Sequence, residues 1–364
     1  MAVRKEKTSP RRGIRVNRVD EPPYEVDAER LKRYDQRNLI FNRISDDPRW
    51  EGYGRTEEEQ GLKNIAEVKP GYTRVDYALA EASWTVHDVW TEAFSWERLA
   101  RPWGPSLMGD RWYGEPVDVE DVSEMTGRVK KAARFFGADL VGVTELDRRW
   151  LYANKRRDLE PIVFPEGVRY AVVMAIEMDE LAIATSPECP AAAVTGLAYS
   201  RMAFAASSLA EFIRNLGYTA IPDGNDTGLS IPLAIDAGLG QLGRNGLLIT
   251  PEYGPRVRIC KVYTDLPLEA DGPVDFGVTE FCKGCRLCAE ACEVDAISFE
   301  REPGWEPACK SSSPGARKWY VDGERCYVYW CDNGTDCSTC ISVCPYNRGP
   351  DEASSGEFWE SLEG

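Results

Sequence analysis

The middle of the chain carries two helical patterns of apolar residues with two strand-like runs between them. In residues 118–138 apolar side chains recur every three or four positions, which predicts a helix with Gly137 as its C-terminal stop. Residues 139–146 and 170–178 have the pattern of strands, and the second is a continuous apolar run typical of a buried strand. A second helix is predicted from about Ser200 to Leu216, ending at Gly217. This alternation predicts a layered α/β or α+β domain.

The flanking regions lack such clear periodicity. Residues from about 20 to 115 are rich in Trp, Tyr, Asp and Glu, and we expect irregular structure that wraps a core. From Gly224 to Leu268 glycine recurs, which lets the backbone approach a bulky flat ligand or adopt positive φ values. The motif GLGQLG in this segment is a poor dinucleotide-binding fingerprint, because no clear strand and helix flank it and no acid follows about twenty residues later.

Composition narrows the function classes. The 364 residues contain 44 Lys and Arg against 60 Asp and Glu, a formal net charge of −16, which disfavours nucleic acid as the main partner. No apolar run is long enough for a transmembrane helix. His87 is the single histidine, which excludes metal sites that need two imidazoles.

The first eighteen residues form a basic arm, with seven Lys or Arg against the single acid Glu6. We expect it to be a solvated tail or to contact acidic lipid or a partner. The pair Arg11-Arg12 invites comparison with a twin-arginine signal, but no apolar segment follows it. For the chain as written, the sequence therefore predicts no export signal and a cytoplasmic location.

Ten of the twelve cysteines fall between Cys282 and Cys344, a distribution typical of a metal cofactor rather than a disulfide framework. Four of them have the C-x2-C-x2-C-x3-C spacing of bacterial ferredoxins, in which the fourth cysteine ligates the other of two 4Fe-4S clusters. The crossed arrangement predicts one cluster on Cys282, Cys285, Cys288 and Cys344, and another on Cys292, Cys337, Cys340 and either Cys326 or Cys331. Glu293 stands where ferredoxins usually have proline, which changes the local turn but not the number of ligands.

Three stretches together resemble the catalytic subunit of corrinoid-dependent reductive dehalogenases. They are YDQRNLIFNR near the start, the glycine-rich segment from Gly217 to Leu268, and the two-cluster tail with CYVYW. The resemblance implies an α+β fold, with a nitroreductase-like cobalamin-binding core and a C-terminal ferredoxin-like domain carrying two 4Fe-4S clusters. It also favours Cys326 as the upstream ligand, and a corrinoid bound base-off, with no histidine below the cobalt.

The resemblance divides the chain into an N-terminal arm and wrapping region (1–115), a corrinoid-binding catalytic core (116–274) and a ferredoxin-like two-cluster domain (275–364). It implies that Tyr199 donates a proton, with Arg258 and Asn225 beside it. An O–H donor suits protonation of carbon in a dry pocket, and a guanidinium stabilises the phenolate left behind. Each of the three also has an ordinary structural interpretation. The predicted lining of the corrinoid pocket, with a plain loop as its alternative, consists of Gly238, Gly240, Gly243, Arg244, Asn245 and Gly246.

The predicted function is therefore reductive dehalogenation of a small organohalide, with electrons from an external low-potential donor such as a ferredoxin, a flavodoxin or a quinol-linked protein. A membrane-anchor subunit and a second copy of the chain, in a homodimer, are both possible partners. We expect no nucleic-acid partner. The alternatives are a tRNA-modifying enzyme of the epoxyqueuosine reductase type and a non-catalytic electron-transfer protein. Tryptophans that either line an apolar substrate chamber or pack the core are Trp84, Trp90, Trp96, Trp103 and Trp112.

Overall fold

The computed structural model describes residues 14–94, 116–155, 159–347 and 353–362, with the backbone alone at 89–94. Its helices are α1 (Ile40–Asp46), α2 (Glu58–Ala66), α3 (Arg74–Phe94), α4 (Val122–Phe135), α5 (Glu180–Ala184), α6 (Cys189–Asn215), α7 (Ser230–Asp236), α8 (Val278–Gly284), α9 (Leu287–Glu290), α10 (Gly323–Asn333), α11 (Thr339–Ser342) and α12 (Ser355–Ser361). Its strands are β1 (Asn17–Arg18), β2 (Leu140–Glu145), β3 (Tyr170–Glu177), β4 (Ala220–Asp223), β5 (Gln241–Leu242), β6 (Leu248–Ile249), β7 (Val257–Thr264) and β8 (Val274–Asp275).

The core is built on a four-stranded sheet in the order β2-β3-β7-β4, with every neighbouring pair antiparallel. Along β3, Val172, Met174 and Ile176 face the apolar core shared with α4 and α6. The alternate residues Ala171 and Val173 face a second core on the side of α7. Because both faces are covered, β3 is apolar at nearly every position, and the predicted buried strand is confirmed. Of the two predicted classes, an antiparallel sheet with helices on its faces is α+β.

Helix α6 is longer than its pattern predicts, beginning at Cys189 instead of about Ser200. Its N-terminal half is rich in small residues and buried on almost every side, so it shows no alternation of apolar and polar faces. Tyr199 therefore lies in the middle of a 27-residue helix and is not at its start.

The prediction of irregular structure for residues 20–115 is wrong where the chain is described, because α1, α2 and α3 lie within it. Helix α3 packs along α6, and its contact with α6 includes Ala80 against Ala192 and Ala193. Small residues at the contact make the apolar stripe of α3 too thin to recognise in the sequence. The division of the chain at 115/116 and 274/275 stays a prediction.

Some residues singled out from the sequence lie outside the described part of the chain. They include the basic arm as far as Arg12, the side chain of Trp90, and Trp96, Trp103 and Trp112. Among the described residues, no helix is both long and apolar enough to cross a membrane.

Two glycines inside helices should respond oppositely to replacement by alanine. In α6, a Cβ on Gly196 would lie 2.5 Å from Cδ1 of Trp84, whereas in α4 a Cβ on Gly127 meets nothing within 4 Å. Alanine is favoured over glycine inside a helix by about 1 kcal/mol. We expect Gly127→Ala to raise the free energy of unfolding by about 0.5–1 kcal/mol, and Gly196→Ala to lower it, measured by anaerobic denaturant unfolding. Equal gains in both variants would contradict the packing of Trp84 on Gly196.

Candidate functional site

Three elements of the core bring Tyr199, Asn225 and Arg258 together. Tyr199 lies in α6, Asn225 in the loop after β4, and Arg258 on β7. Asn225 Nδ2 donates a hydrogen bond to Tyr199 Oη at 2.8 Å. Arg258 Cζ lies 5.7 Å from the centroid of the Tyr199 ring, and its Nη2 donates to Thr195 Oγ1 at 3.2 Å, one helical turn before Tyr199. The three side chains predicted from the sequence thus form one cluster.

Two rings from α3 surround this tyrosine. Trp84 stacks on Tyr199 with centroids 4.8 Å apart, and His87 meets the Tyr199 ring edge-on at 5.4 Å. The backbone N–H of His87 donates to Ser200 Oγ at 3.2 Å, which ties α3 to α6 beside the site. The sequence offered no signal for His87 as a neighbour of Tyr199, because α3 itself was not predicted.

The first group of tail cysteines surrounds a small cavity together with residues of the core. Its walls include Cys282, Cys285, Cys288 and Cys344, along with Gly243, Arg244 and Asn245. Burial is the main cause that raises the pKa of Cys288 to about 12 and that of Cys344 to about 11. Iron binds thiolates, so assembly of a cluster on these cysteines would release protons from them.

The second group consists of Cys292, Cys326, Cys337 and Cys340. Burial raises the pKa of Cys326 to about 12, and the neighbouring thiols of Cys337 and Cys292 raise it as well. Burial also raises the pKa of Cys340 well above its ordinary value, with Cys337 and Cys326 among its neighbours. Cys331 lies apart, packed with Trp50 and Tyr327. Of the two alternatives for the upstream ligand, Cys326 is the one beside the other three cysteines.

The segment predicted to line a corrinoid pocket lies against the cysteine groups. Arg244 is 1% exposed, and its guanidinium lies over the Trp319 ring at 4.6 Å. Asn245 Nδ2 donates to the backbone oxygen of Cys340 at 3.2 Å. At the four glycines of this segment there is little room for a Cβ atom. The neighbouring residue is Gly272 at Gly238, Ile249 at Gly240 and Gly243, and Val321 at Gly246. Contact between this segment and a corrinoid stays a prediction.

Arg244 should be required for the first cysteine group to form. Its guanidinium donates to four backbone oxygens that belong to Cys282, Cys285, Ser298 and Glu300. In Arg244→Met these buried acceptors lose their donors, at about 1–3 kcal/mol each. We expect the iron content to fall by about half, with a lower Tm, measured by iron analysis and thermal unfolding. The control Arg286→Met removes an exposed arginine next to Cys285 and should leave both unchanged; a full complement of iron in Arg244→Met would contradict the prediction.

The tyrosine site meets the second cysteine group at Asp336, the residue before Cys337. Burial raises the pKa of Asp336 to about 6, and the charge of Arg258 opposes this shift. Asp336 Oδ1 and Arg258 Nε are both buried without a hydrogen-bond partner among the described residues. An acceptor and a donor are therefore available at the boundary between the two sites.

Comparison with known proteins agrees with this arrangement. Residues 281–348 match the family of 4Fe-4S dicluster domains. The chain is 42% identical over 279 residues to a tetrachloroethene reductive dehalogenase of Desulfitobacterium hafniense, covering 65% of this chain and 51% of that relative. It is 35% identical over 342 residues to the tetrachloroethene reductive dehalogenase of Sulfurospirillum multivorans, covering 84% of this chain and 67% of that relative.

Among solved structures, the catabolic reductive dehalogenase NpRdhA superposes with a TM-score of 0.73 at 26% identity, covering 92% of this chain and 45% of that one. Another, described as a reductive dehalogenase structure that suggests a mechanism for B12-dependent dehalogenation, has a TM-score of 0.72 at 27% identity. It covers 96% of this chain and 46% of that one. The chain belongs to the reductive dehalogenase family. It spans about half the length of the first relative.

Proposed function

We propose that this chain carries the catalytic machinery of an organohalide-reducing enzyme. The reaction converts R–X, two electrons and one proton into R–H and a halide ion. The observation that carries the proposal is the meeting of Tyr199, Asn225 and Arg258 in one cluster, beside Asp336 and the second cysteine group. A proton donor next to an electron-carrying site is what this stoichiometry requires.

The two cysteine groups would hold two 4Fe-4S clusters. The group of Cys292, Cys326, Cys337 and Cys340 would be the inner one, because Asp336 connects it to Arg258. The group of Cys282, Cys285, Cys288 and Cys344 would be the outer one and would accept electrons from an external low-potential donor. Arg244 and Asn245 would fix the spacing between the groups, since they contact the backbone of Cys282 and Cys340 respectively.

A corrinoid fits the chemistry of the residues at this boundary. The amide side chains of the ring can both donate and accept, which suits the unpartnered Asp336 Oδ1 and Arg258 Nε. When bound, a corrinoid would supply the low-potential metal that passes two electrons to the carbon–halogen bond.

Tyr199 would supply the proton. Asn225 Nδ2 already donates to Tyr199 Oη, so the hydroxyl proton is not needed for that contact and can point toward the substrate. After transfer, the phenolate keeps the hydrogen bond from Asn225 and lies near the permanent charge of Arg258. The Trp84 and His87 rings cover two sides of the tyrosine ring.

Halide release under reducing, anaerobic conditions tests the proposal. The chain would be reconstituted with iron, sulfide and hydroxocobalamin and reduced with titanium(III) citrate. The substrate would be tetrachloroethene, because two relatives of the chain are tetrachloroethene reductive dehalogenases. We expect chloride release that depends on both the corrinoid and the chain. Absence of chloride, and of bromide from a brominated phenol, at full iron and corrinoid content would contradict it.

The tRNA-modifying alternative has a weaker basis. An epoxyqueuosine reductase of Lactococcus garvieae is 30% identical over 152 residues, which cover 40% of this chain and 39% of that relative. The same preparation, incubated with tRNA containing epoxyqueuosine, gives a direct comparison. Conversion of the tRNA without any release of halide would favour this alternative, and binding of clusters without any corrinoid would favour an electron carrier.

A further inference from the structure

A buried lysine stands behind the loop that carries Asn225. Lys261, on β7, has a fully buried side chain and pairs across the sheet with Asp223 of β4, with Nζ and Oδ2 2.8 Å apart. Lys261 Nζ also donates to the backbone oxygens of Gly224 and Gly228, and to Ser230 Oγ at 2.9 Å. The ammonium is thus directed at both ends of the loop.

Asp223 fixes the same loop from the other side. Its Oδ1 accepts from the backbone N–H groups of Asp226 and Thr227, at 3.1 and 3.2 Å. Its Oδ2 accepts from the hydroxyl of Tyr263 at 3.0 Å. A buried ion pair with this many additional hydrogen bonds is well compensated for its desolvation. The backbone on both sides of Asn225 is therefore hydrogen-bonded to one buried ion pair.

The hydroxyl of Ser230 connects the ion pair to Asn225. A hydroxyl facing an ammonium can only accept there, because lysine has no acceptor atom. The hydroxyl proton must point elsewhere, and Asn225 Oδ1 at 2.9 Å is nearer than the backbone oxygen of Gly224 at 3.3 Å. An amide whose oxygen accepts on one side presents its NH₂ group on the other, and that group is the one at Tyr199 Oη.

We propose that Lys261 and Ser230 are positioning residues that select the orientation of the Asn225 amide. The inference deepens the proposed function and rests on it. With an N–H facing Tyr199 Oη, the tyrosine keeps its own proton for the substrate and its phenolate is stabilised afterwards. With the amide reversed, the carbonyl oxygen would accept the tyrosine proton and would repel the phenolate. The direction of one hydroxyl thus decides whether Tyr199 is ready to donate.

Ser230 is the residue to change, because a neutral Lys261 variant would leave Asp223 buried without its counter-charge and could fail to fold. Ser230→Ala removes the hydroxyl and frees the amide, whereas Ser230→Thr retains the hydroxyl as a matched control. The first readout is the NMR signal of ¹³Cζ-labelled tyrosine in the full chain with oxidised clusters, with the Tyr199 signal assigned by Tyr199→Phe. The second is kcat and KM for halide release.

We expect Ser230→Ala to move the Tyr199 signal in the same direction as Asn225→Ala does, and Ser230→Thr to leave it in place. We expect kcat to fall about tenfold in Ser230→Ala with KM unchanged, which is the value of one hydrogen bond. An unmoved Tyr199 signal in Ser230→Ala, when Asn225→Ala does move it, would overturn the proposal. If the signals move as expected but no preparation releases halide, the positioning role of Ser230 is supported and the proposed function is contradicted.

Discussion

Tyr199→Phe should lower the rate of halide release by about 10²–10⁴-fold, the usual contribution of a positioned general acid. The substitution removes only the hydroxyl that accepts from Asn225 Nδ2, and the ring can still stack on Trp84. We therefore expect iron content, corrinoid content and Tm to stay at wild-type values. The measurement is kcat under anaerobic conditions with a chemical reductant, so that electron supply from a partner does not limit the rate.

A second tyrosine serves as a matched control, to show that loss of activity is specific to the Tyr199 hydroxyl. Tyr218 lies beyond the C-terminal end of α6, and its hydroxyl donates to the backbone oxygen of Val117 at 2.7 Å. Tyr218→Phe should retain full activity. If Tyr199→Phe is also fully active, Tyr199 is not the proton donor, and water or another side chain must supply the proton.

Cys326→Ala should abolish halide release, whereas Cys331→Ala should retain it. Cys326 lies with Cys292 and Cys337 in the second group, and Cys331 packs against Trp50 and Tyr327. Loss of one of four ligands at the proposed inner cluster interrupts the path of electrons to the Tyr199 site. We expect iron to fall from about eight to about four atoms per chain in Cys326→Ala, and to stay at about eight in Cys331→Ala.

Iron analysis and electron paramagnetic resonance of the reduced protein report this directly. In Cys326→Ala the magnetic interaction between two reduced clusters should disappear and leave the spectrum of a single cluster. The reverse pattern, with iron lost only in Cys331→Ala, would assign the upstream ligand to Cys331. Equal loss in both variants would indicate general destabilisation of α10, which contains both residues.

Some structural features of this protein can be predicted from the sequence because they depend on the spacing of residues that are close together in the chain. The cysteines at 282, 285 and 288 have a recognisable spacing since neighbouring ligands of one cluster must lie on one tight loop. Helix α4 was predicted because its buried side chains recur at helical spacing. Strand β3 was predicted because it is buried on both faces and is therefore apolar along its length. Helix α3 and the first half of α6 were missed because they pack through small residues such as Ala80 and Ala192.

The trio of Tyr199, Asn225 and Arg258 came from a family resemblance, and only the fold brings these side chains within reach of one another. They are separated by 26 and 33 positions along the chain, and they lie on a helix, a loop and a strand. Stacking of Trp84 on Tyr199 requires the packing of α3 on α6, which local sequence does not encode.

The sequence by itself determined the cysteine spacing, the buried strand and the amphipathic helix, because each depends on residues close together in the chain. Only the tertiary structure decided which of Cys326 and Cys331 stands beside the other cysteines, and that Arg244 contacts the backbone of Cys285. It also decided that Lys261 reaches Tyr199 through Ser230 and Asn225. Hydrogen bonds and charges act over a few ångströms, so their partners are set by how strands and helices pack and not by distance along the chain.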